Sequence, residues 1–224
     1  MIKKTLALLA LAVVTTTTQA GTSAPAPSGK GVIAPTIEPD SISYSNVSLS
    51  WLRQWGQVGP VNFDSNGIAL ALEYSPVNNV YVAGGASWSD GEFSLGGQSV
   101  NGDLWNANLG LGGYIPLTNN IHFVTELGAN YADASFGNPV NISGNEWGFY
   151  VTPHIRAKFG KFETHLGATY NTNDLALDEW TGFLRLLYEV APNVDLFVTG
   201  SIGLSDSNGI DDLYGLNVGA RYKF

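Results

Sequence analysis

The sequence predicts an all-β chain that closes into a transmembrane up-and-down antiparallel β-barrel of ten strands. Three observations predict it. Ten segments alternate apolar and polar residues with a period of two, at nine to thirteen residues each. That length suits a tilted strand crossing a bilayer and exceeds the usual soluble strand. The apolar faces are rimmed with aromatics, whereas the polar faces are mostly Gly, Asn, Thr and Ala. The connections alternate between short and long.

Composition narrows the classes. Hydrophobic residues make up 44% of the 224, charged residues only 13%, and there are 27 Gly. This is no disordered chain. Ten basic residues stand against 19 acidic ones, a formal charge of -9, which argues against a nucleic-acid partner. There is no Cys, so disulfides, thiolate chemistry and Cys-ligated metals are excluded.

In chain order, residues 1–20 read as an export signal. Lys3 and Lys4 precede an apolar run, Thr5 to Val14, and Thr18-Gln19-Ala20 offers small residues for cleavage. The run is too short for a transmembrane helix, which needs about 20 residues. A short membrane anchor is the other reading. Residues 21–40 are rich in Pro, Gly, Ser and Ala and read as a flexible periplasmic leader. It could contact peptidoglycan or plug a lumen, and nothing in it specifies either.

Residues 41–224 form the expected barrel domain. Its strands are 42–52, 67–75, 79–89, 104–115, 121–131, 147–159, 162–170, 180–190, 194–204 and 213–224. In the second, Ile68, Leu70, Leu72 and Tyr74 oppose Ala69, Ala71 and Glu73. In the sixth, Trp147, Phe149, Val151, Ile155 and Phe159 oppose Tyr150, Thr152, His154, Arg156 and Lys158. Each strand therefore has one greasy and one polar face. A soluble sandwich or lipocalin-like barrel shares the alternation, but carries charges on most outer positions. Small and polar residues suit the confined interior of a narrow barrel in lipid.

Short connections fall around Pro76 to Asn78, Pro116 to Asn120, Gly160-Lys161 and Ala191 to Asn193. Long ones are expected at 53–66, 90–103, 132–146 and 171–179, with a shorter one at 205–212. Short turns facing the periplasm and long loops facing outside place both termini on the periplasmic side. Trp51, Trp88, Trp105, Trp147 and Trp180 all fall at the long-loop rim. Tyr44, Tyr74, Phe159, Phe162, Tyr188 and Phe224 fall near the other. Two aromatic belts are what interfacial anchoring predicts.

The final segment carries Phe224, Tyr222, Ala220, Val218 and Leu216 at alternate positions. It resembles the C-terminal targeting strand of small Gram-negative outer-membrane barrels of the OmpX- and OmpA-like kind. The likeness covers residues 42–224 and the signal. It implies an outer-membrane location and recognition by the insertion machinery, with lipids including lipopolysaccharide as neighbours. Ten-stranded outer-membrane proteases imply a paired-Asp site and a His–Asp pair near the outer rim. No His lies there in this chain. The eight-stranded lipid deacylases imply an outward Ser–His pair, and no His here faces lipid.

Glu73, Glu126, Glu163, Glu189 and Asp195 are expected inside with Arg156, Lys158, Arg185, Arg221 and Lys223. They read as a charged polar core, or as the wall of a narrow path for ions or small solutes. His122, His154 and His165 are also inward; with Glu126 and Glu163 nearby they could be drawn as a metal site or an acid–base pair, but the sequence does not give the register between strands and holds no HExxH motif. No catalytic, cofactor-binding or metal-ligating residue is assigned. The long loops are acidic, with Asp64, Asp90, Glu92, Asp103 and Asp133 among others. Phe93, Leu95, Phe136, Val140 and Ile142 would either form an adhesion surface there or fold onto the rim. The expected function is a structural or surface-interaction barrel without enzymatic activity. The alternative is a passive pore, and an outer-membrane hydrolase is the weakest reading.

Overall fold

A computed structural model describes residues 42–58, 61–95, 98–137, 142–173, 175, 179–204 and 210–224. The export signal and leader lie outside the described residues, as do Val140, Asp174, Asp178 and Asp206. The strands are β1 (Asn46–Val58), β2 (Val61–Val77), β3 (Val80–Leu95), β4 (Gln98–Thr118) and β5 (Ile121–Phe136). They continue with β6 (Ile142–Phe159), β7 (Phe162–Asn171), β8 (Trp180–Ala191), β9 (Val194–Gly203) and β10 (Ile210–Lys223). Each pairs antiparallel with its sequence neighbours, and β1 pairs with β10 from Asn46↔Lys223 to Val58↔Ile210, so the barrel is closed. Closure leaves no open edge around the ring, a requirement for a sheet in hydrocarbon.

The alternation becomes two opposite walls. Leu49, Ile68, Leu70, Leu109, Leu127 and Phe149 are exposed outside, whereas Ala69, Ala71, Glu73, Tyr150, Thr152 and Arg156 are buried inside. The apolar exterior is continuous, far larger than a water-soluble surface carries. All five rim tryptophans point outward and are exposed. Tyr131 packs on Trp147 at 5.0 Å and Tyr170 on Trp180 at 5.1 Å, each pair directly opposite in the ladder.

One end, here the turn end, carries the connections at 78–79, 119–120, 160–161 and 192–193. Asn79 (φ 66°), Gly160 (φ 59°) and Asn193 (φ 65°) take the left-handed conformation that turns these corners. Residue 42 and Phe224 lie at this end. The opposite, loop end differs from expectation. Regular ladder continues through most of 53–66, 90–103 and 132–146, leaving connections of only 59–60, 96–97 and 137–141. The reason is visible in the side chains. Phe63, Phe93, Val100, Leu104 and Phe136 keep the inward parity and are buried, while Asp64, Asp90, Glu92 and Asp103 keep the outward one. Phe93 and Phe136 are thus not adhesion residues. Phe93 packs between Phe63 (6.0 Å) and Phe136 (5.1 Å) inside the barrel. The side chains of Leu95 and Ile142 are outside the described residues. Trp55 belongs to β1.

A second correction concerns the first strand. The ladder begins at Asn46, not at residue 42, and Tyr44 is no belt residue. Ile42 and Tyr44 are fully buried against Tyr81, Ala83, Tyr114 and Val124 of β3, β4 and β5. Those strands stand two to four places round the ring from β1, so the segment before β1 turns away from its own wall into the interior.

Candidate functional site

The bore gathers the polar residues that the alternation assigns to the inside. Nine of the ten expected charges are buried there, and Glu189 is half-buried at the turn end. They form a chain across β6 to β10. Arg221 donates from Nε to Asp195 Oδ2 at 2.7 Å, and from Nη1 and Nη2 to Glu163 at 3.2 and 2.5 Å. Lys223 Nζ donates to Asp195 Oδ1 at 2.9 Å and to Glu189 Oε2 at 2.7 Å. Lys158 Nζ lies 3.8 Å from the same Glu189 oxygen. Glu189 and Asp195 face each other directly in the ladder, and like charges there repel. Lys223 between them removes the repulsion. The fork of Arg221 reaches from β10 across to β7, a bidentate grip that fixes the far wall.

A second group surrounds Tyr44. Its ring stacks on Tyr114, with centroids 3.9 Å apart and planes within 2°. Tyr81 stacks at 5.4 Å, and the Arg156 guanidinium sits 4.7 Å from the Tyr44 ring. The hydroxyl shares a hydrogen bond of 2.9 Å with His122 Nδ1. Tyr81 can lean across the bore because Gly112 has no Cβ; one would collide with the Tyr81 ring. Tyr81 and Tyr150 donate to Glu126 at 3.4 and 2.7 Å. Glu73 faces Arg156 at 3.7 Å.

The three histidines are inward, as their parity requires, and each is engaged. His154 Nε2 accepts from Arg156 Nε at 3.1 Å, so its Nδ1–H donates to Thr152 O at 3.2 Å. His165 Nε2 donates to Glu163 Oε1 at 2.7 Å. His122 serves Tyr44. Among the described residues no group of three or more His, Asp or Glu is arranged to hold a metal ion. What this chemistry does is cross-link the walls: most buried charges meet an opposite one, Arg185 instead donates from Nε to Thr199 Oγ1 at 2.8 Å and lies over the Phe197 ring, and aromatic hydroxyls satisfy the carboxylate of Glu126.

Towards the loop end the bore changes character. Ser65, Ser89, Asn106, Asn130 and Asn217 line it beside the phenylalanines. The β7–β8 connection turns inward. Asn171 Oδ1 accepts from Asn130 Nδ2 at 3.0 Å and from Asn173 N at 2.9 Å, and Leu175 is buried. The outer wall carries the acidic residues expected of loops, with Arg53 bound to Asp64 at 2.5 Å on its exposed face. Sequence reasoning missed the Tyr44 cluster and the Asn171–Asn173 fold. Both arise from chain outside the regular ladder, where parity says nothing.

No family model matches the sequence, and no curated protein matches it. Solved structures do. The translocator domain of the autotransporter NalP from Neisseria meningitidis shares 13% identity with a TM-score of 0.51, covering 81% of this chain and 89% of that one. The attachment invasion locus protein Ail of Yersinia pestis, in complex with the heparin analogue sucrose octasulfate, shares 14% at TM-score 0.42, covering 80% and 97%. Outer membrane phospholipase A from Escherichia coli shares 12% at 0.40, covering 80% and 97%. The fold is that of an outer-membrane β-barrel. A likeness at this identity bears on the fold alone and brings no activity with it.

Proposed function

We propose that the chain is a non-enzymatic barrel of the Gram-negative outer membrane, with both termini periplasmic and a structural or surface-interaction role. The observation that carries this reading is the filled bore. Tyr44, Tyr81, Tyr114 and Arg156 meet across its turn end, and the Arg221 and Lys223 networks tie the walls beside them. A bore so occupied works as a polar core in place of a hydrophobic one. Lipids are the partners of the exterior, lipopolysaccharide among them. A hollow of about 690 Å³ on the outer face, framed by Phe159, Phe162, Tyr188 and Leu196, offers an acyl chain a place to settle. The alternating apolar C-terminal strand suits capture by the insertion machinery. The acidic outer face above the tryptophans, with Asp64, Asp90, Glu92 and Asp103, is the surface for an extracellular partner.

Planar-bilayer recording of refolded residues 21–224, with insertion checked separately, tests the reading. A silent membrane is the expected result. Discrete, salt-dependent steps would instead support a passive pore for ions or small solutes.

A further inference from the structure

We propose that the turn-end mouth of the bore is a binding site for an extended, tyrosine-bearing peptide segment. The chain's own Ile42–Ser45 occupies it as a removable stopper. The residues before β1 lie outside the barrel ladder, which starts at Asn46, and Ser43 makes an isolated bridge. They nevertheless turn into the bore and are buried against β3, β4 and β5.

The pocket around Tyr44 has the features of a built site. Tyr114 and Tyr81 provide stacking faces, at 3.9 and 5.4 Å between centroids. Arg156 provides a cation over the ring at 4.7 Å, and His122 provides a hydrogen-bond partner for the phenol at 2.9 Å. Stacking, cation–π attraction and a hydroxyl bond together select a phenol over an aliphatic side chain. Ile42 fills the apolar part beside Ala83 and Val124. The backbone is latched where it leaves the bore, since Ser45 Oγ accepts from Ser75 N at 3.3 Å and Ser45 O accepts from Phe224 N at 3.1 Å. These contacts come from β2, β3, β4, β5, β6 and the C-terminus, so the short segment touches much of the ring through side chains and backbone together. Above it, small neutral inward positions such as Ser50, Ala71 and Asn106 alternate with the Glu126–Tyr150 pair, and the Phe63–Phe93–Phe136 cluster stands at the loop end. The stopper is therefore the bulky element of the turn-end mouth that is not itself part of the wall.

The test compares residues 21–224 with a chain that starts at residue 46, and with Tyr44→Ala in the longer chain. Insertion of each is established by heat-modifiable mobility before bilayer recording. The expected result is a gain of discrete conductance in both variants. A peptide of residues 38–46, added on the turn side, should close the truncated barrel, and the same peptide with Tyr44→Ala should not. Tyr44→Phe, which keeps the stack, should stay as silent as the parent. Two inserted variants as silent as the parent would overturn the proposal. So would failure of both variants to insert, because the segment would then be part of the fold and not a removable occupant. Steps from the parent itself would sink the closed-bore function but leave this comparison intact, since the truncated chain must then pass the larger current.

Discussion

The two halves of the bore solve one problem by different means. At the turn end, formal charges and tyrosines fill the space, and the far walls are joined by Arg221 to Glu163 and by Arg156 to Tyr44. At the loop end, small neutral residues and a phenylalanine cluster do the filling, with an asparagine turn folded in from β7. The first half depends on pairing. Removing one member strands another charge in a low-dielectric interior. The second half depends on ordinary hydrogen bonds and packing, which fail more gently.

Arg221→Met sharpens that contrast most. It leaves Glu163 and Asp195 without their shared guanidinium, and a loss of about 3–5 kcal/mol is expected for such a broken buried pair. Urea unfolding in liposomes reads it, and a loss as small as that of a surface change would show the turn-end network to be dispensable. Asn171→Ala removes the acceptor for Asn130 and Asn173, and about 1–2 kcal/mol should follow. If it cost as much as Arg221→Met, the two halves would be energetically alike. Arg53→Ala deletes an ion pair on the exposed outer wall, where solvent and salt screen it. No change in the urea midpoint is expected, and a clear drop would mean that this pair is organised by something on the outer face.

The facing of the walls was legible because a strand sends successive side chains to opposite sides. Glu126, His154 and Arg221 needed nothing more than parity to be placed inside. The height of β2 to β6 was not legible from the outward residues. Asp64, Asn66, Asp90 and Asp103 resemble loop chemistry because they stand above the hydrocarbon, where nothing demands an apolar exterior. The inward residues Phe63, Phe93 and Phe136 held the missing signal. The partners inside were beyond reach for another reason. Arg221 and Glu163 are separated by 58 positions and sit on strands that are not neighbours. Their meeting follows from barrel closure and stagger, which a single sequence does not state. Tyr44 was read by extending parity below the true start of β1, where the chain leaves the sheet.

The strands differ greatly in length: β4 has 21 residues, whereas β7 and β9 have 10 each. At about 3.3 Å per residue and a tilt of roughly 40°, one side of the cylinder rises some 25–30 Å beyond the other. The molecule thus has a front and a back in the membrane plane. Along β7 to β9 the described strands end low. A neighbour approaching along β3 to β5 faces a screen of twisted sheet that overhangs its own top. Shape alone therefore distinguishes one flank from the other to any neighbour in the membrane plane.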